Sequence, residues 1–290
     1  MDQSLFSKVV KERIMDFMPP IYDDYTPKIE IVNKVNESKE ALMLAPEDKG
    51  LCNALPMVYM DDMYEVFCEN EDLEETLRII ANVFMNNIGR SFPGPEAFHF
   101  EEMKDRVVME LINTERNQQL LETIPHLKVI NMSVIYRIMM QSSEGGFDSI
   151  LVNENIMEDM GLDRRELHRL ALDNTKKLMQ PMILDLSAKA FMVSNQYQMF
   201  GSAAILFEDV MVEVSERLGE KRFYVVPCSI HEFIAVPKEG TDLESLIDML
   251  AEGNQMFTRE KDVLSNAIYE YDTETKEIKK AASYRWAAFV

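Results

Sequence analysis

The stretch RFYVVPCSIHEFIAVP, residues 222–237, decides the fold. Its two halves are short apolar runs rich in β-branched and aromatic residues, and the joint Pro227–Cys228–Ser229 reads as the break between paired strands. His231 and Glu232 follow just after that joint. Before this pair, residues 189–195 read as a strand and 202–218 as a helix stopped by Gly219. After it, residues 241–253 read as a second helix, and 267–271 with 277–281 as a terminal hairpin around 272–275. The resulting string β-α-β-β-α-β is that of the split βαβ, or ferredoxin-like, arrangement. Two helices would cover one face of its sheet. Val225, Ile234 and Val236 are too apolar for water, so the other face is expected to pack on the preceding half of the chain.

Upstream, residues 3–18 carry apolar side chains at helical spacing until Pro19–Pro20. PKIEIVNKV and EALMLAP alternate as a hairpin around Asn36–Glu37, and LPMVYMDDMYEVF reads as a third extended run. Acidic caps with a Glu three residues on begin helices at Asp72 and Asp163, and Thr241-Asp242-Leu243-Glu244 repeats the device. SFPGPEA, 91–97, is the best boundary; a helix is expected from about 96 to 117. LKVINMSVIYRIMM and DSILVNENI flank a Gly145–Gly146 turn as a long hairpin. The fold class is therefore α+β, mostly antiparallel sheets with helices on one face. It divides into an N-terminal α+β region (1–93), a helix-hairpin-helix region (94–188) and a C-terminal βαββαβ domain (189–290).

The net charge of -21 repels phosphate backbones and anionic lipid, which argues against direct nucleic-acid or membrane binding. The acids are concentrated at Asp61, Asp62, Glu65, Glu69, Glu71, Asp72, Glu74 and Glu75, with no Lys or Arg among them. Such a run serves either as a solvated face or as a docking surface for a basic partner, in its extreme form as an inhibitor that mimics nucleic acid. Cys52, Cys68 and Cys228 show no CxxC spacing, so neither a disulfide framework nor structural zinc is expected. The N-terminus lacks an unbroken apolar core, and no run reaches the ~18 apolar residues a membrane span needs. A cytoplasmic protein is expected. His99, His126, His168 and His231 lack metal-ligand spacing, and no Gly-rich phosphate loop occurs, so no metal or cofactor is expected.

FMVSN, GSAAILFEDVMVEVSERLG, YVVPCSIHEFIAVP and VLSNAIYEYD, with NTERNQQLLETIPHL and LHRLALDNT, resemble the bacterial family called domain of unknown function 5688. The likeness spans about residues 20 to 275. It implies a bacterial protein of the kind common in gut Firmicutes and an accessory role on a mobile or host-adapted element, but no chemistry. The family pattern reads P-S-S-x-H-E where this chain has Pro227-Cys228-Ser229-Ile230-His231-Glu232, and tends to Asp where this chain has Asn131.

A catalytic reading would use Ser229, His231 and Glu232 as a hydrolase or transferase centre, with Asn113, Asn117 and His126 positioning the substrate. Ser229 and His231, two apart, would share a strand face; Cys228 and His231 would not. Against this, no nucleophile elbow surrounds Ser229, and Asn side chains near helix ends usually satisfy backbone groups. The composition favours a protein that binds another protein over an enzyme.

Overall fold

The computed structural model describes residues 1–46, 57–87, 99–141 and 147–286. The boundary 91–97, the Gly145–Gly146 turn and Cys52 lie outside them. The chain divides into two units, Met1–His99 and Phe100–Val290, so the stretches 94–188 and 189–290, read apart in sequence, largely share one unit.

In the first unit, α1 (Gln3–Arg13) starts at Asp2, whose carboxylate accepts from the Leu5 N–H at 2.9 Å. β1 (Tyr25–Lys34) and β2 (Glu37–Pro46) form the expected hairpin, with Asn36 at φ 60° in the turn. The third extended run is shorter than its sequence suggests: β3 covers only Met57–Tyr59, and α2 (Met60–Asn70) follows at once. Met60, Met63, Tyr64 and Phe67 recur at helical spacing onto the core, while Asp61 and Asp62 complement the helix dipole. α3 (Leu73–Asn87) begins at Asp72, which accepts from the Glu75 N–H at 3.0 Å. Phe6, Leu42, Leu77, Ile80 and Phe84 meet between sheet and helices.

The second unit opens with a correction. Residues expected to be helical up to 117 form a 3-10 stretch, Phe100–Arg106, and then β4 (Val107–Asn113), buried along its whole length. VVMELIN is apolar at five of its seven positions, and a strand covered on both faces buries it. The short α4 (Gln118–Leu121) leads to β5 (Leu127–Val129), β6 (Met132–Gln141) and β7 (Phe147–Leu151), all paired antiparallel around β6 with β4 on its other edge. After α5 (Glu154–Asp159) comes α6 (Arg164–Leu178), begun by a full capping box between Asp163 and Glu166. α6 is tied to β4 by the Thr175 hydroxyl, 2.9 Å from the Met109 N–H.

β8 (Pro181–Ser187) pairs with β9 (Ala190–Asn195). The helix expected over 202–218 is split into a 3-10 turn, Gly201–Leu206, and α7 (Glu208–Leu218), which ends at Gly219 with φ 73°. β10 (Arg222–Pro227) and β11 (Phe233–Pro237) form the expected pair, followed by α8 (Leu243–Met256), β12 (Ala267–Asp272) and β13 (Glu277–Ser283). Asp242, not Thr241, is the N-cap of α8, accepting from the Glu244 and Ser245 N–H groups.

The order in the six-stranded sheet is β13-β12-β10-β11-β9-β8. The βαββαβ string is present, but its second and third strands occupy the centre, whereas a ferredoxin-like sheet has the first and third there. Two split βαβ crossovers interleave, as they do in the ferredoxin-like sheet: β9–α7–β10 skips β11, and β11–α8–β12 skips β10. The faces also divide differently from expectation. Ile234 and Val236 pack under α8 with Tyr224, Val226, Leu246 and Leu250. Val225, paired with Ala235, lies on the opposite face. Among the described residues no helix is long and apolar enough to cross a membrane.

Candidate functional site

The loop between β10 and β11 is built by its own side chains. The N–H groups of Cys228 and Ser229 both donate to the Glu232 carbonyl at 3.2 Å. The Ser229 hydroxyl donates to the Glu232 carboxylate at 2.6 Å and accepts from the His231 N–H at 2.9 Å. This geometry turns the His231 ring away from Ser229. Its Nδ1 accepts from the Phe200 N–H at 3.2 Å, which leaves the ring proton on Nε2, 3.4 Å from Asp262 Oδ1. Asp262 in turn pairs with Arg259 at 2.7 Å. Both ring nitrogens are thus engaged and the serine proton faces a carboxylate. Ser229, His231 and Glu232 do meet, as a closed turn rather than a nucleophile with its base.

Gly201 explains why the loop can be so tight. A Cβ there would fall on the His231 carbonyl oxygen, within 2.5 Å of Ser194 Oγ and 2.8 Å of its Cα. Ser202 and Ser194 reach across that contact, donating to the carbonyls of Ser229 at 2.5 Å and His231 at 2.9 Å. Cys228 is no better placed for chemistry. Burial, aided by the Glu232 charge, pushes its thiol up to about 12, so it stays protonated at neutral pH.

The other predicted residues separate. Asn113 Nδ2 donates to the Leu264 carbonyl at 3.1 Å, and its Oδ1 accepts from the Arg116 N–H at 2.9 Å. Asn117 donates to the Asn113 carbonyl at 2.7 Å. Both satisfy backbone groups, although Asn113 does reach the loop that carries Asp262. His126, half-buried at the start of β5, has Nδ1 3.1 Å from the Ile124 carbonyl and shares no described contact with His231. Along 61–75, Asp72 caps α3, Asp62 pairs with Lys39 at 3.0 Å, Glu74 lies near both Arg78 and Arg13, and Asp61 accepts from Gln3. Glu65, Glu69, Glu71 and Glu75 are exposed.

Sequence matching covers residues 3–189 and 186–273 with one family, described as a family of unknown function (DUF5688). The chain belongs to this family. No curated protein and no solved structure matches it. At Asn131 and Cys228 the contacts are specific. Asn131 Oδ1 accepts from the Tyr269 hydroxyl at 2.7 Å, a role a carboxylate also fills, and Cys228 Sγ lies 3.6 Å from the Val226 carbonyl.

Two features of this DUF5688 protein left little trace in the sequence. Glu110, inward on β4, is fully buried; Oε2 pairs with Arg137 while Oε1 has no hydrogen-bond partner. Burial raises its pKa; Arg137 beside it opposes the rise, and the charge of Asp262 adds to it. Arg137 also lies 5.3 Å from the centre of the Phe200 ring, joining this pair to the His231 loop. An isolated Glu inside an otherwise apolar strand is the signal that could have found it.

The second feature is an open pocket of about 530 Å³ at the C-terminal end of α8, lined by Arg116, Ala251, Asn254, Thr258, Glu260, Val263, Tyr284 and Trp286 among others. Asn254 Nδ2 donates to the Ser265 carbonyl at 2.9 Å and to the Tyr284 hydroxyl at 2.8 Å. The Tyr284 and Trp286 rings meet edge to face with centres 5.4 Å apart. The buried atoms Asn254 Oδ1 and Trp286 Nε1 have no partner. Outside the pocket's lining, along and just after the C-terminal half of α8, Met249, Met256 and Phe257 are 50%, 64% and 80% exposed.

Proposed function

We propose that this DUF5688 protein is a binding protein whose partner is another protein, held at the C-terminal end of α8. The observation that carries the reading is the exposure of Met249, Met256 and Phe257 along and just after the C-terminal half of α8. Scattered apolar surface residues need no explanation, but Met249 and Met256 lie seven positions apart on one face of one helix, and Phe257 follows at its C-cap. Covering a Phe and two Met would contribute on the order of 1.5–3 kcal/mol for each side chain fully removed from water. Asp248 and Glu252, one turn apart, are exposed along one side of this stripe, on a chain of net charge -21. Charge complementarity therefore favours an apolar partner segment flanked by Lys or Arg.

The catalytic alternative is weaker because its candidate base and nucleophile are each engaged elsewhere. The test is a positional library of Lys-flanked apolar hexapeptides presented to the full chain and to a Phe257→Asp variant. Binding by the parent chain that falls at least about tenfold in the variant supports the reading. A library in which no peptide distinguishes the two chains overturns it.

A further inference from the structure

β1 is bonded to β2 along one side, and among the described residues no strand pairs with its other side. The turn Val35–Asn36 makes Lys34 and Glu37 a mutually hydrogen-bonded pair, so the even-numbered residues of β1 bond to β2. The N–H and C=O groups of Ile29, Ile31 and Asn33 therefore point outward from the edge, as does the Pro27 carbonyl. Ile31 is 66% exposed. Lys28 and Glu30, two apart on the opposite face of the strand from Ile29, are exposed as well. Their cross-strand neighbours, Met43 and Ala41, carry no charge, and among the described residues neither has an ion-pair partner.

Proline and lysine commonly blunt a sheet edge. Here the alternation of sign admits one pairing and opposes its neighbours. When two copies of β1 run antiparallel about a two-fold axis through Ile29, each Lys28 faces the Glu30 of the other copy. The outward bonds of the odd residues put these charges at non-hydrogen-bonded sites, where side chains approach most closely. Moving the axis to residue 28 or 30 sets a charge against its own copy, and moving it to Ile31 sets Lys28 against Lys34. Pro27 withholds an N–H, but its carbonyl still accepts from Ile31 of the other copy. We propose that β1 is a dimerisation edge, which joins two copies of this chain into one continuous sheet centred on Ile29.

Sedimentation velocity of the full chain, in a series up to about 0.5 mM, should show a monomer–dimer equilibrium. Lys28→Glu alone and Glu30→Lys alone each set like charges opposite one another twice, and each should weaken the dimer at least about tenfold. Mixed in equal amounts, the two variants are complementary and should recover the dimer, which misfolded chains could not do. The double variant Lys28→Glu/Glu30→Lys should dimerise as the parent does, and so should Phe257→Asp. A parent chain that stays monomeric throughout the series overturns the proposal. So does a dimer indifferent to both single reversals, one lost on Phe257→Asp, or a mixture that stays monomeric.

Discussion

A single loop, running through the 3-10 turn Glu260–Asp262 to Ser265, has two different sides. On one side Asp262 and Leu264 meet His231 and Asn113 in a closed network of turns. On the other, Glu260 and Val263 line an open pocket with an unmet donor and acceptor. The closed side holds the residues that look catalytic in sequence, and there nearly every polar atom is engaged within the protein. The open side holds residues with no motif, and there two buried polar atoms have no partner within the protein. Chemical suggestiveness in the sequence and chemical availability in the fold are thus separate properties, and in this molecule they point to opposite sides of one loop.

The sharpest way to break the comparison is at Gly201. If the closed side is structural, Gly201→Ala must push the His231 carbonyl and Ser194 apart, costing about 3 kcal/mol, seen as a lower urea midpoint with an unchanged slope. A variant as stable as the parent would mean that the loop yields freely, and the closed side would lose its claim to rigidity.

Glu110 tests the same side through pH. Its folded-state pKa is raised, chiefly by burial, so between the unfolded value of about 4.3 and the folded one the native state holds more protons than the unfolded chain. Stability from this group is intact below that window and falls as pH rises through it. Glu110→Gln cannot ionise and should flatten that fall in a series of urea midpoints, while differing from the parent by roughly 1 kcal/mol at the acid end. Parallel pH profiles for the two chains would show that folding leaves the Glu110 pKa where it stands in the unfolded chain.

How much of this could be read beforehand follows from the range of the interactions. The pair at 222–237, the hairpin at Asn36 and the caps at Asp72 and Asp163 depend on neighbours a few residues away, and the sequence carries them. The burial of β4 does not: VVMELIN becomes a strand because β6 and α6 cover it, and a helix at the same place satisfies local rules equally well. Strand order was illegible for the same reason, since both crossovers are compatible with one βαββαβ string. Within the site, Ser229 and Glu232 were legible as neighbours three residues apart. The engagement of His231 by the Phe200 N–H spans 31 positions and leaves no local mark, and the same holds for Asn254, whose orphan oxygen is defined by Tyr284, 30 residues on.

Smaller effects sharpen the contrast further. Ser229→Ala removes the hydroxyl that joins the Glu232 carboxylate to the His231 N–H, at a cost of about 1–2 kcal/mol in the urea midpoint. Cys228 complements it kinetically. With its thiol pushed up to about 12, it should react with a disulfide reagent far more slowly than exposed Cys68 at neutral pH, as counted by mass spectrometry in a Cys52→Ser background. Equal labelling of the two would mean that the loop opens faster than it reacts.

The smallest expected effect bears on the open side. Phe257 is 80% exposed, so Phe257→Asp removes almost no buried area and should leave the urea midpoint within about 0.5 kcal/mol of the parent. A residue that contributes to folding would be missed when replaced by a charge; one kept for a partner would not. A near-neutral midpoint, beside the roughly 3 kcal/mol expected at Gly201, would separate a surface kept apolar for an encounter from a loop packed for the fold. A large loss at Phe257 would place it in the core and dissolve the distinction between the two sides.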